Sequence, residues 1–172
     1  MLVEQGFAAL THRAVAARAE VPLASTTYYF GSVDDLAEQA LRYATQLWLT
    51  ASETACAALP ARLVSGPATA RALLAVVTGG SGDRASLSAM YERYLEAGRH
   101  PRLRPLVVAA NAEVVELVAG VLQRAGRRTR AARLVLASTD GLLLAALAEG
   151  DPEPVTSVAP ELSRLVALLP RT

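Results

Sequence analysis

From Ser32 onward, apolar residues recur every three or four positions, a period that helices satisfy and strands do not. Leu36, Ala40, Leu41, Ala44, Leu47, Trp48, Ala51 and Ala55 hold it through one long stretch. Ser32 followed by Asp35 is a capping box with Asp in the acidic position, so a helix is expected over 32–58. The same periodicity predicts helices over 68–77, 84–97, 101–125, 129–149 and 155–169. Pro60, Pro67, Gly98, Pro101 and Gly126 mark their ends. No segment alternates with period two, so the expected fold class is all-α. The Gly79-Gly80-Ser81-Gly82 stretch reads as a flexible connection. A phosphate-cradling loop would need a preceding strand and a following Lys.

Composition narrows the function classes. With 52% apolar residues among 172, the chain can bury a sizeable core, and a net charge of +1 gives no global pull toward nucleic acid or membrane. Cys56 is the single cysteine and excludes an intramolecular disulfide. With only His12 and His100 beside it, soft ligands are too few for a structural zinc site, and no metal or cofactor is expected. Cys56 has no histidine nearby in sequence, and Ser138-Thr139-Asp140 lacks a histidine base. The chain is therefore not expected to be an enzyme. All 17 basic residues are Arg, which fits codon bias in a GC-rich genome. The most apolar window, Leu134–Ala148, is shorter than the ~18 residues of a spanning helix and contains Asp140. No leader is visible either. The expected address is the cytoplasm, with no membrane partner.

The first thirty-odd residues carry a different signal. Thr11 can cap a short helix over 12–19, with Ala14, Val15 and Ala19 facing inward. Glu20-Val21-Pro22 makes a tight turn. A second short helix follows over 23–29, anchored by Phe30. Two short helices joined by such a turn form a helix-turn-helix, whose second helix fits the DNA major groove. Gly6-Phe7, Thr11, Val15-Ala16, Ala19, Val21, Thr27-Tyr28-Tyr29-Phe30 and Asp34-Asp35-Leu36 together resemble the TetR family of one-component bacterial regulators. Tyr94-Leu95-Glu96-Ala97 and Arg99-His100-Pro101 are similar to the regulatory domain of some members.

The resemblance implies a DNA-binding domain over 1–31, with its first helix shortened to Leu2–Phe7, and an effector-binding and dimerisation domain over 32–172. It implies phosphate contacts at Thr11 and His12 and a base contact at Arg13. Leu23, Ala24 and Ser25 would meet base edges, and Thr27, Tyr28 and Tyr29 would touch methyls, sugars and phosphates. Thr26 matches a core position. Core packing of Tyr28 and Tyr29 is the alternative reading. The chain departs from the family pattern where Glu20 replaces the turn glycine and Val33 the phosphate-binding Lys. A left-handed conformation at Glu20 would cost about 1 kcal/mol. Residues 1–48 hold three Arg against five acidic residues, an unusual balance for a phosphate-neutralising surface.

In the remainder, Trp48, Met90, Tyr91, Tyr94, Asn111 and Asp140 lie on several helices and suit a small apolar effector with one or two polar handles. Plain core packing explains them as well. Asp140 interrupts an apolar run and needs a partner, which could be the effector, an Arg such as Arg93 or Arg133, or backbone N–H groups. Arg124, Arg127, Arg128, Arg130 and Arg133 form the densest basic cluster, readable as a second nucleic-acid surface or a solvated corner. The last two helices are too apolar to face water together. Gly141, Ala145, Leu162, Leu165 and Leu169 are the candidate seam of a twofold four-helix bundle.

The combined expectation is a homodimeric, ligand-responsive repressor of operator DNA. Its alternative is a ligand-binding helical dimer that has lost operator binding through N-terminal truncation.

Overall fold

A computed structural model describes residues 9–172 and is helical throughout, with no strand among the described residues. The expected short first helix and the Gly6-Phe7 motif lie outside the described residues. The helices are α1 (His12–Arg18), α2 (Leu23–Tyr29), α3 (Val33–Ala57), α4 (Gly66–Thr78), α5 (Arg84–Arg99), α6 (Arg104–Arg124), α7 (Ala132–Ala148) and α8 (Pro154–Leu168). Single 3-10 turns precede α6 and α7.

Local chemistry sets the boundaries. Ser32 Oγ accepts from Asp35 N at 3.1 Å, as the capping box requires. The Asp35 carboxylate, however, accepts from Gly31 N at 3.2 Å, one residue ahead of the cap. Helix α4 starts before the expected 68 because Ser65 Oγ accepts from Ala68 N. Helix α5 runs through Gly98 and stops before Pro101, with His100 held extended as a residue preceding proline prefers. The Gly79-Gly80 pair is a helix cap rather than a slack connection. Gly79 and Gly80 both have positive φ, and Gly80 N donates to Ala75 O at 2.8 Å.

The chain forms two compact units that do not follow the boundary expected at residue 31. The first comprises residues up to Gln46 and Ala85–Val108; the second comprises Leu47–Arg84 and Ala109–Thr172. The first unit reaches past α2 because Leu41 of α3 packs with Ala97, Leu103 and Val107, with Tyr94 and Leu106 against them. The second is built around α4, eight of whose thirteen residues are buried. Helix α8 packs on α4 and on α7, and Val158, Leu162 and Val166 form its inner face. Val114, Val118, Val121 and Leu122 of α6 are fully enclosed.

The stretches Pro101–Arg124 and Thr129–Ala148 are each long and apolar enough to cross a membrane by length and composition. This corrects the expectation from the sequence, where the most apolar window, Leu134–Ala148, was too short to span. Their apolar content has an internal use, since Val114 and Val118 in one and Val135 and Leu143 in the other are completely buried.

Candidate DNA-reading and effector residues

Helix α1 begins where Thr11 Oγ1 accepts from Ala14 N at 3.1 Å. Its buried residue is Ala16; Ala14 and Val15 are half-buried, and Ala19 is exposed, contrary to the inward placement expected for it. Ala19 sits at the helix C-cap, where the chain already turns away. Glu20 takes the left-handed conformation at φ +55°, the one non-glycine residue described to do so. Val21 N then donates to Ala16 O at 3.0 Å, closing the turn. The turn thus keeps its shape without glycine and carries the strain of a Cβ in the left-handed region.

Thr26 is the internal pin of α2. It is buried, and its hydroxyl donates to Leu23 O at 2.9 Å and reaches His12 O at 3.4 Å, tying α2 to the start of α1. The opposite face is open. Leu23, Ala24 and Thr27 are exposed, and Ser25 is half-buried. Tyr28 and Tyr29 are 83% and 74% exposed, so the core-packing reading of these rings is excluded. The rings meet edge to face at 5.2 Å. Two exposed tyrosines on a short helix can stack on sugars, touch methyls and donate to phosphates. Arg13 is exposed on α1, as is Thr11. His12 is half-buried, and its Nδ1 is enclosed without a hydrogen-bond partner among the described residues, so it is less open to a phosphate than expected.

Residues 65–168 match the family model described as the tetracyclin repressor-like C-terminal domain. The multidrug binding protein EbrR, in its complex with imidazole, is 34% identical, with 99% of this chain and 89% of that one covered at a TM-score of 0.69. Its ethidium complex is 36% identical over 98% and 92%, with a TM-score of 0.66. The chain belongs to the TetR family. A TetR-family member from Streptomyces coelicolor A3, SCO1917, is similarly related at 34% identity, 98% and 91% coverage and a TM-score of 0.68. A comparison with curated proteins finds no match. TetR-family regulators bind DNA, dimerise and take small-molecule ligands, and they are generally not enzymes.

The six effector candidates of this TetR-family chain divide between the units. In the first, Tyr91 is buried and Met90 and Tyr94 are half-buried. Tyr91 and Tyr94 lie near parallel at 6.2 Å between centroids, and the Arg93 guanidinium sits 5.3 Å from the Tyr94 ring centre. Sequence reading missed Thr45 in this unit. It is 3% exposed, and its hydroxyl has no hydrogen-bond partner among the described residues. It lies one turn beyond Leu41 on α3. Its only sequence signal was a hydroxyl on an apolar stripe. In the second unit, Trp48 Nε1 donates to Val77 O at 3.0 Å, which fixes the indole against the end of α4. Asn111 and Asp140 are half-buried, so Asp140 is not the deeply enclosed carboxylate that its neighbours suggested.

The seam candidates also separate. Gly141 and Ala145 are exposed on α7, on one stripe with exposed Leu134 and Leu144. Leu162 is fully buried in its own unit and Leu169 nearly so, which leaves neither available to a second chain. The α8 register explains the first, since positions 158, 162 and 166 turn inward together; Leu169 is buried at the extended cap that follows. Leu165 is half-buried, and Leu168 is the open residue at that end.

Proposed function

We propose that this chain is a cytoplasmic, ligand-responsive transcriptional repressor that dimerises, reads an operator through α1 and α2, and leaves it when a small apolar effector binds. The observation that carries the DNA-reading part is the exposure of Tyr28 and Tyr29 on α2. Two tyrosine rings left open to solvent on a seven-residue helix touch each other and join no core among the described residues. Arg13 is the proposed base contact. Thr11, Leu23, Ala24, Ser25 and Thr27 complete the proposed surface.

The dimer seam is the exposed α7 stripe of Leu134, Gly141, Leu144 and Ala145, with Leu165 and Leu168 of α8. Gly141 has nothing within 4 Å of an added Cβ in this chain, so a second helix has room to approach it. For the effector, Met90, Tyr91 and Tyr94, with the unpaired Thr45 hydroxyl, are one proposed contact set. Trp48, Asn111 and Asp140 are the other. The ethidium and imidazole bound by EbrR are aromatic compounds, which supports rings as ligand partners here.

The deciding experiment is an operator titration with the chain's own promoter region, repeated with ethidium. Sequence-selective binding is expected. Arg13→Ala should lose about 1–3 kcal/mol at one base position. Ethidium also intercalates in duplex DNA, so the reading is the difference between chains: at equal dye it should quench Trp48 and weaken operator binding more in the parent chain than in Tyr94→Ala. Binding that is salt-sensitive but indifferent to sequence would end the operator reading. Ethidium binding without any change in operator affinity would end the effector reading. Gly141→Arg should yield monomers by sedimentation.

A further inference from the structure

The basic cluster after α6 is only partly absorbed by the regulator reading, and its surroundings are informative. A cleft of about 590 Å³ opens in the second unit, within the size range of small-molecule sites. The α3–α4 connection supplies Arg62, the end of α6 supplies Gln123 and Arg124, the following turn supplies Arg127, and the C-terminal segment supplies Arg171. No Asp or Glu side chain lines it.

Its walls are tied by backbone hydrogen bonds rather than by side-chain chance. Leu63 N donates to Arg124 O at 2.8 Å, Arg128 N to Pro170 O at 3.2 Å and Thr172 N to Gly126 O at 3.2 Å. Residues 127 and 171 form an antiparallel bridge. Helix ends account for part of the charge. Arg127 Nη1 donates to Ala167 O and Leu169 O at the end of α8, and Arg124 Nη1 lies 3.7 Å from Cys56 Sγ beside Gly120. Arg62 and Arg171 are exposed and serve neither helix end in this way. Four guanidiniums line this polar cleft against one anionic group, the Thr172 α-carboxylate, and the two that are not held at other groups, those of Arg62 and Arg171, can each give two parallel N–H donors to a phosphate or carboxylate, which suits a multiply charged oxyanion.

We propose that this cleft binds a small polyanion bearing phosphate or several carboxylates, as a ligand input separate from the effector. The test is calorimetric titration of the full chain with pyrophosphate and, separately, with citrate, at ionic strength held constant with sodium chloride. Saturable binding is expected. The double variant R62A/R171A, at exposed positions and checked for an unchanged melting temperature, should weaken it by about tenfold or more. Arg164→Ala, which removes an exposed charge outside the cleft, should leave it unchanged. Tighter pyrophosphate binding assigns a phosphate ligand, and tighter citrate binding a polycarboxylate; either supports the site. Absence of saturable heat with both probes would overturn it, as would equal weakening by Arg164→Ala. Displacement of pyrophosphate by a short random-sequence DNA duplex would also overturn it, making the cleft a nucleic-acid surface instead.

Discussion

The short helices α1 and α2 and the helix α4 solve opposite problems. Each of the first two buries one residue, Ala16 or Thr26, and α2 turns its tyrosines to water. Helix α4 buries eight residues and presents almost nothing. The head is held by a hydroxyl pin, a side-chain cap and a strained turn. The α4 region is held by close packing. A surface that must meet a changing partner keeps its apolar groups outside, and its stability then depends on a few local devices. A helix that only supports others can be enclosed on every side.

The sharpest way to break this contrast is to remove side chains from both places. Leu73, fully buried in α4, should cost about 2–5 kcal/mol when replaced by Ala, read by denaturant unfolding. Tyr28→Ala should change stability by no more than about 0.5 kcal/mol while weakening operator binding. Equal destabilisation by the two would break the contrast, since an exposed ring would then carry as much stability as an enclosed leucine.

Gly79 comes next. Its φ is +62°, and an added Cβ would sit 3.1 Å from Trp48 Cδ1 and 3.2 Å from Ala51 Cβ. Gly79→Ala should therefore destabilise by about 1 kcal/mol or more through the left-handed backbone alone. The emission of Trp48 should shift with it. An unperturbed spectrum would argue that the indole does not pack on the cap.

Glu20→Gly tests the strained turn of the head from the other side. Removing the Cβ at φ +55° should stabilise the chain by up to about 1 kcal/mol in thermal unfolding. A loss of stability would mean that the Glu20 side chain contributes more than its conformation costs.

The smallest effect is expected at Asp151, ahead of α8. A hydrogen bond from the Ser157 side chain and one from Glu153 N, the latter at 2.8 Å, hold its carboxyl below the usual value of 3.8. A depressed carboxylate stabilises the fold above its unfolded value and loses that contribution as pH falls through the lower folded one. Asp151→Asn should thus be slightly less stable than the parent at neutral pH. The two should converge in acid, below pH 3.8. A difference that persists there would assign the effect to something other than ionisation.

Much of the molecule was legible from periodicity and punctuation. The helical period placed all six helices after Ser32, because each needs one apolar stripe and each ends at a Gly or Pro. Thr11, Ser32 and the threonine-tyrosine run were readable for the same local reason: a cap or an exposed ring acts within one or two turns of chain. The errors at boundaries were small and chemical, such as the Ser65 cap that starts α4 early and the stop of α5 at the preproline His100 rather than at Gly98.

What pattern could not decide was which of several apolar faces turns inward. Leu162 and Leu169 look like seam residues in sequence, yet they are buried within their own unit, and the open positions are Leu134, Leu144 and Leu168. Asp140 looks buried among leucines and is only half so. Thr45 looks like any helix threonine and holds an unpaired buried hydroxyl. Arg62 and Arg171, far apart in the chain, share a cleft with Arg124 because backbone bonds from Leu63 and Thr172 fold their segments onto the end of α6. A repeat of 3.6 residues specifies a stripe, but the partner of that stripe is chosen by long-range packing, and burial, charge pairing and cleft formation all follow from that choice.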